Sequence, residues 1–203
     1  MTIVKTLTAA ALAFAAIGAH AESVTNGSFE ADAQAAGTWS IQNNLTGWTG
    51  MSNIELRNNV AGAAQDGVNF VELDTTANMS MKQTITGSGL YTLSFWYSAR
   101  EGRAAGDNGL GFSFGDLSGN VLMTTAGAAV GNGNVWQHFT GLVNLSGPSD
   151  LVFTAMGTSN SYGASLDNIS VTAAVPEPET YALLLAGLGL MGTIIRRRKA
   201  NQA

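Results

Sequence analysis

The chain is 203 residues long, has no cysteine, and carries nine Lys/Arg against fourteen Asp/Glu, a formal net charge of −5. Between residues 22 and 174 the imbalance deepens, with Arg57, Lys82, Arg100 and Arg103 set against twelve carboxylates for a net of −8. That balance argues against nucleic acid or anionic lipid as the main partner, and the missing thiols exclude cysteine nucleophiles, zinc–thiolate sites and iron–sulfur clusters.

Lys5 supplies a positive start, residues 7–17 an apolar run, and Ala19-His20-Ala21 a small-x-small cleavage site. The run is too short to span a bilayer and has the layout of a secretory signal, here residues 1–21, removed by signal peptidase between Ala21 and the next residue. An exported domain without disulfides takes its stability from its core, which makes a structural cation reasonable.

Residues 22–174 read as one all-β domain: short alternating runs are separated by Gly, Asn and Asp, as in a sandwich or barrel. Predicted strands are 26–30, 67–74, 79–86, 91–99, 110–114, 121–125, 135–145, 151–155 and 164–172. Alternate side chains point to opposite faces, so Tyr91, Leu93, Phe95 and Tyr97 read as core, leaving Thr92, Ser94, Trp96 and Ser98 on the other face. In the same way Val135, Phe139 and Val143 oppose Trp136 and His138, and Val71 and Leu73 face inward while Glu72 and Asp74 face outward.

A tryptophan among small hydroxyl residues, followed by Arg100, has the chemistry of a sugar platform: the ring stacks on a pyranose and polar neighbours bond its edges. Trp96 is the leading candidate, with Arg100, Trp136 and Trp39 behind it. Each has an ordinary alternative as a half-buried packing residue. Catalysis has weaker support. His138 has no Ser or Asp in a recognisable arrangement, and Glu72 with Asp74 could form a glycosidase-like pair or simply solvate a strand.

The last segment, 175–203, has three parts. Val175-Pro176-Glu177-Pro178 is held extended by its prolines. An uncharged stretch follows, predicted as a transmembrane helix over 180–195; the fifteen positions 181–195 reach roughly 22 Å at about 1.5 Å per residue, short of a core of about 30 Å. Arg196, Arg197, Arg198 and Lys199 then favour the cytoplasmic side.

This order of elements resembles the PEP-CTERM sorting signal. The resemblance implies export in a Gram-negative, exopolysaccharide-making bacterium and transient anchoring in the inner membrane. Cleavage by exosortase near the Pro-Glu-Pro motif and release or attachment at the cell surface would follow. A second resemblance is carried by Asn26-Gly27-Ser28-Phe29-Glu30, Gly47-Trp48, Val71-Glu72-Leu73-Asp74, Gln83-Thr84, Tyr91-Thr92-Leu93-Ser94-Phe95 and Leu166-Asp167-Asn168-Ile169-Ser170-Val171. Together they are similar to galactose-binding-like jelly rolls, including carbohydrate-binding module families. That resemblance implies a jelly-roll β-sandwich, a structural Ca²⁺ held by Glu30 and Asp167, and a packing role for Trp48. Asp167 shares parity with Ile169 and Val171 and is expected to point toward the apolar side. The functional expectation is a non-enzymatic, exported surface or matrix protein that binds polysaccharide. A structural or adhesion protein binding other proteins is the alternative, and a glycoside hydrolase the remote one.

Overall fold

The computed structural model describes residues 24–50, 52–174, 184–189, 191 and 192. Residues 24–174 hold ten strands: β1 (Trp39–Gln42), β2 (Ile54–Asn58), β3 (Asn69–Glu72), β4 (Ser80–Ile85), β5 (Gly89–Ser98), β6 (Gly109–Phe114), β7 (Leu117–Val121), β8 (Gln137–Leu145), β9 (Ser149–Met156) and β10 (Ser165–Ala173). They form a jelly-roll sandwich of two sheets, six strands in the order β1-β2-β3-β10-β5-β8 and four in the order β4-β9-β6-β7. Every strand pairing is antiparallel.

The alternation in β5 places Leu93 and Phe95 in the core, with Tyr91 and Tyr97 packed against its margin. Phe95 is the centre of an aromatic cluster between the sheets: its ring lies 4.7 Å from Phe139, 5.2 Å from Phe112 and 5.1 Å from Phe153. Leu56, Val71, Leu166 and Val143 complete the inner face of the larger sheet, opposite Met81, Leu151 and Phe114 of the smaller one. Trp48 is buried between Phe29 and Phe153, as a packing residue should be. Val143 and Phe139 keep the expected face, whereas Val135 precedes β8 and is exposed.

Four sequence expectations are corrected. Residues 26–30 form turns, with Asn26 at φ 55° and Phe29 at φ 61°, because the Asn26 side chain bonds Asp32, Thr46 and Ala31 instead of leaving its backbone to a ladder. The strand placed at 121–125 lies at Leu117–Val121, since Gly115-Asp116 makes a two-residue hairpin with Gly115 at φ 56°. Strands β1 and β2 were not expected. Finally, Glu72 and Asp74 face away from the core as parity requires but are buried, because loops cover that side of the sheet.

Residues 184–189 are helical, within the span expected over 180–195. Among the described residues no helix is long and apolar enough to cross a membrane. Ala19, Ala21, Val175, Pro176, Glu177, Pro178, Arg196, Arg197, Arg198 and Lys199 lie outside the described residues.

Candidate functional site

The outer face of the six-stranded sheet carries the site. Trp39 pairs with Arg57 and Ile41 with Glu55 across β1 and β2, while Glu55 pairs with Glu72 across β2 and β3. Directly opposed residues share a face, so two apolar side chains, two carboxylates and a guanidinium stand together. Every residue of β2 and β3 is buried, inner face and outer face alike. The cover is loop: residues 59–68 fold back over the sheet, and residues 157–164 run into β10.

Beneath that cover Arg57 is shared by two acids. Its Nε and Nη2 donate to Glu55 Oε2 at 2.9 and 2.5 Å, and Nη2 also reaches Glu72 Oε2 at 2.5 Å. Glu72 further accepts the Gly163 N–H at 2.5 Å and lies 3.5 Å from Arg100 Nη1. Asp74 accepts the Asn160 N–H at 3.1 Å. Gly163 is needed because a Cβ there would stand 2.9 Å from that of Asp74. With Glu55, Glu72 and Asp74 set against Arg57 and Arg100, one proton would bring the cluster to neutrality. The proton belongs on Glu72: burial pushes its carboxyl up to about 8, against the opposing pull of Arg57 and the Gly163 N–H, and with Glu55 and Asp74 adding to the rise.

Above the cluster opens a cleft of about 440 Å³, lined by Trp39, Ile41, Glu55, Arg57, Val60, Ala61, Thr75, Thr76, Arg100, Ser161 and Tyr162. Trp39 is 52% exposed and forms an apolar wall with Ile41. Across from the β1 edge stands Tyr162, with the Arg103 guanidinium 3.1 Å from its ring centroid. On the floor, Arg57 Nη1 and Thr75 Oγ1 are buried without a hydrogen-bond partner, although both residues are otherwise almost fully enclosed.

Of the four residues proposed as a sugar platform, Trp39 and Arg100 line this cleft. Trp96 and Trp136 lie on the same sheet face, beyond the 59–68 loop. Trp136 packs edge-on against Phe70 at 5.8 Å and donates its Nε1–H to the Ala63 carbonyl at 3.0 Å. Trp96 stacks on His138 at 4.6 Å, and the His138 ring is itself held by Ser94. Glu55, Arg57, Thr75 and Tyr162 escaped the sequence reading. One signal was available: Glu55 and Arg57 are two apart in an alternating Ile-Glu-Leu-Arg run, which puts opposite charges on one face.

Glu30 and Asp167 both serve the covering loop. Glu30 Oε1 accepts the Val68 and Asn69 N–H groups at 2.8 and 2.7 Å. Gly67, at φ 65°, allows this approach, since a side chain there would meet the Glu30 carboxylate. Asp167 Oδ2 accepts from Gln65 and Asp66 at 2.8 and 3.0 Å, and Oδ1 from Asn168 at 2.7 Å. The register shifts between Asp167 and Ser170, and Asn168 sits at φ 46°. This bulge reverses the parity, so Asp167 faces the loops while Ile169 and Val171 face the core. Its burial pushes the carboxyl up to about 7, against the three amide bonds that favour the charged form. Among the described residues no group of three or more His, Asp or Glu gathers as a metal shell.

A jelly-roll sandwich with a polar-floored cleft on its outer sheet face is the class that fold and site define. Among solved structures the fold is similar to the Stig cyclase Fisc from Fischerella sp. TAU in complex with an indole compound, with a TM-score of 0.52 at 15% identity over 76% of this chain and 97% of that one. It is also similar to TmCBM61 in complex with β-1,4-galactotriose, with a TM-score of 0.48, 14% identity and coverage of 75% and 99%. A family 35 carbohydrate binding module from Clostridium thermocellum gives a TM-score of 0.43, 15% identity and coverage of 68% and 99%. No curated protein sequence matches the chain. Residues 174–199 match the PEP-CTERM protein-sorting motif, so the chain carries the sorting tail of an exported protein.

Proposed function

We propose that the chain is a surface or extracellular-matrix protein, processed by exosortase, whose sandwich binds carbohydrate in the Trp39–Arg57–Tyr162 cleft. The observation that carries this reading is the exposed aromatic wall of Trp39 standing in a cleft that Tyr162, Thr76, Arg100 and Ser161 also line. A pyranose presents an apolar face to stack on an indole and hydroxyls to bond the polar groups of such a lining. The partner is a neutral saccharide: the domain is strongly acidic, and the cluster under the cleft supplies no net positive charge to hold an acidic one. An exopolysaccharide of the producing cell fits a protein exported through signal peptidase, held briefly in the inner membrane and then delivered to the surface.

Binding without turnover is the reading that fits the acids. Glu72 and Asp74 are buried, and Glu72 is tied to Arg57, Arg100 and Gly163 rather than presented to a guest. Affinity electrophoresis of residues 22–174 in gels cast with neutral and acidic polysaccharides tests the proposal. Retardation by a neutral polymer, lost in Trp39→Ala, supports it. No retardation by any polymer, together with capture of other surface proteins, would favour a protein-binding matrix component.

A further inference from the structure

The sorting tail leaves the sandwich at the end opposite the cleft. Ala174 donates its N–H to the Leu90 carbonyl at 2.9 Å, so the sheet holds the chain up to the residue before Val175. Only residues 175–180 separate that point from the uncharged stretch beginning at Tyr181. Even fully extended, this tether reaches about 24 Å. The cleft, by contrast, adjoins the start of β10, through Ser161 and Tyr162. From Ser165 to Ala173 the strand climbs roughly 25 Å at about 3.3 Å per residue, allowing for the bulge.

Charge divides along the same axis. The tail end is built from residues 86–90, 144–149 and 172–174, the last carried by β10, which pairs with β5 there as β8 does. None of these fourteen residues is charged. Bordering them, Asp116 gives its carboxylate to the Asn144 N–H, and Lys82 neutralises Asp150 at 2.6 Å. The exposed Leu90 lies in this end. At the cleft end stand Arg100, Glu101, Arg103 and Asp107, with Arg57 and the acids it pairs buried beneath, so that end carries charge of both signs. A domain of net −8 approaches a surface that carries anionic lipid best through an uncharged face. The charged end then sits about 25 Å away, some three screening lengths at about 8 Å each.

We infer that, while the tail is uncut, the end formed by residues 86–90, 144–149 and 172–174 rests on the lipid headgroup surface and the cleft is presented outward. The inference depends on the tail acting as an anchor, and not on what the cleft binds. A tethered protein of this geometry samples polymer beyond the membrane before it is released.

The cysteine-free chain allows single labels. Ser88→Cys at the uncharged end and Ala104→Cys at the cleft end are both at exposed positions. Each full-length variant, carrying a fluorophore, is reconstituted into vesicles of phosphatidylethanolamine and phosphatidylglycerol containing a headgroup-nitroxide lipid. Quenching several-fold stronger at position 88 than at position 104 is expected, with both losing it when residues 175–203 are removed. Equal quenching, or stronger quenching at 104, would overturn the orientation. Failure of the full chain to associate with vesicles would overturn the anchor itself, and neither result touches glycan binding. In a second arm, Ser88→Glu with Ser146→Glu should weaken quenching at a label on the same end, and no change would count against headgroup contact.

Discussion

Replacing Trp39 by alanine removes the most exposed aromatic wall of the cleft. A tryptophan offers about 250 Å² of surface, of which 52% is accessible here, or about 130 Å². A pyranose stacked on one side of the ring covers about half of that, about 65 Å². At about 25 cal/mol per Å² the lost contact is worth ~1.6 kcal/mol, a roughly 15-fold rise in Kd. The fold should hardly notice, because a half-exposed edge residue of a four-residue strand adds little to the core. Isothermal titration with the best polysaccharide hit gives the affinity, and urea denaturation gives the stability. Trp96→Ala is the control, since that ring stacks on His138 outside the cleft. Unchanged affinity in Trp39→Ala with a loss in Trp96→Ala would refute the placement of the site.

Other consequences of the buried charges are as direct. Arg57→Met leaves Glu55 and Glu72 enclosed without their shared cation and should cost about 3–5 kcal/mol by urea denaturation, whereas replacing Lys82 of the exposed Lys82–Asp150 pair by methionine should leave the urea midpoint nearly unchanged. Glu72 keeps its proton up to about 8 when folded but loses it near 4.5 when unfolded, so folding takes up a proton between those values. Stability is therefore highest below pH 4.5 for this group and falls as pH rises toward 8, by at most about 1.4 kcal/mol per unit. The stability difference between wild type and Glu72→Gln, measured across that range, should follow this slope; a flat difference would contradict it. Asp167→Ala frees the Gln65 and Asp66 amides and should loosen residues 59–68, read as faster hydrogen exchange there. Because Glu30 and Asp167 are engaged by amides, a chelator should leave the melting temperature unchanged, and a drop of several degrees would instead place calcium at those two carboxylates.

The strands that sequence revealed best were those whose alternation was both long and unambiguous. Residues 91–97 and 137–145 declare two faces, and the structure puts Leu93, Phe95 and Val143 inside as their parity requires. β1 and β2 were harder because they are four and five residues long and carry polar side chains that end up buried. Parity also said which way Glu72 and Asp74 point, but not that loops arriving from residues 59–68 and 157–164 would cover them. The first motif, 26–30, looked extended, yet its asparagine prefers to bond side chain to backbone. Trp39 and Arg100 were visible as candidates through their chemistry alone. Joining them to Arg57 and Tyr162 required the order β1-β2-β3-β10-β5, in which residues far apart in the chain become neighbours across a sheet. Nothing local in the sequence encodes that order.

Saccharide binding in the cleft between Trp39 and Tyr162, over the Arg57 floor, can be followed residue by residue by titrating a polysaccharide fragment into isotopically labelled residues 22–174. The Trp39 indole N–H, the Arg57 side chain and the amides of residues 60, 61, 161 and 162 should shift together with one affinity. Shifts centred on Trp96 and His138, or none with any saccharide, would contradict it.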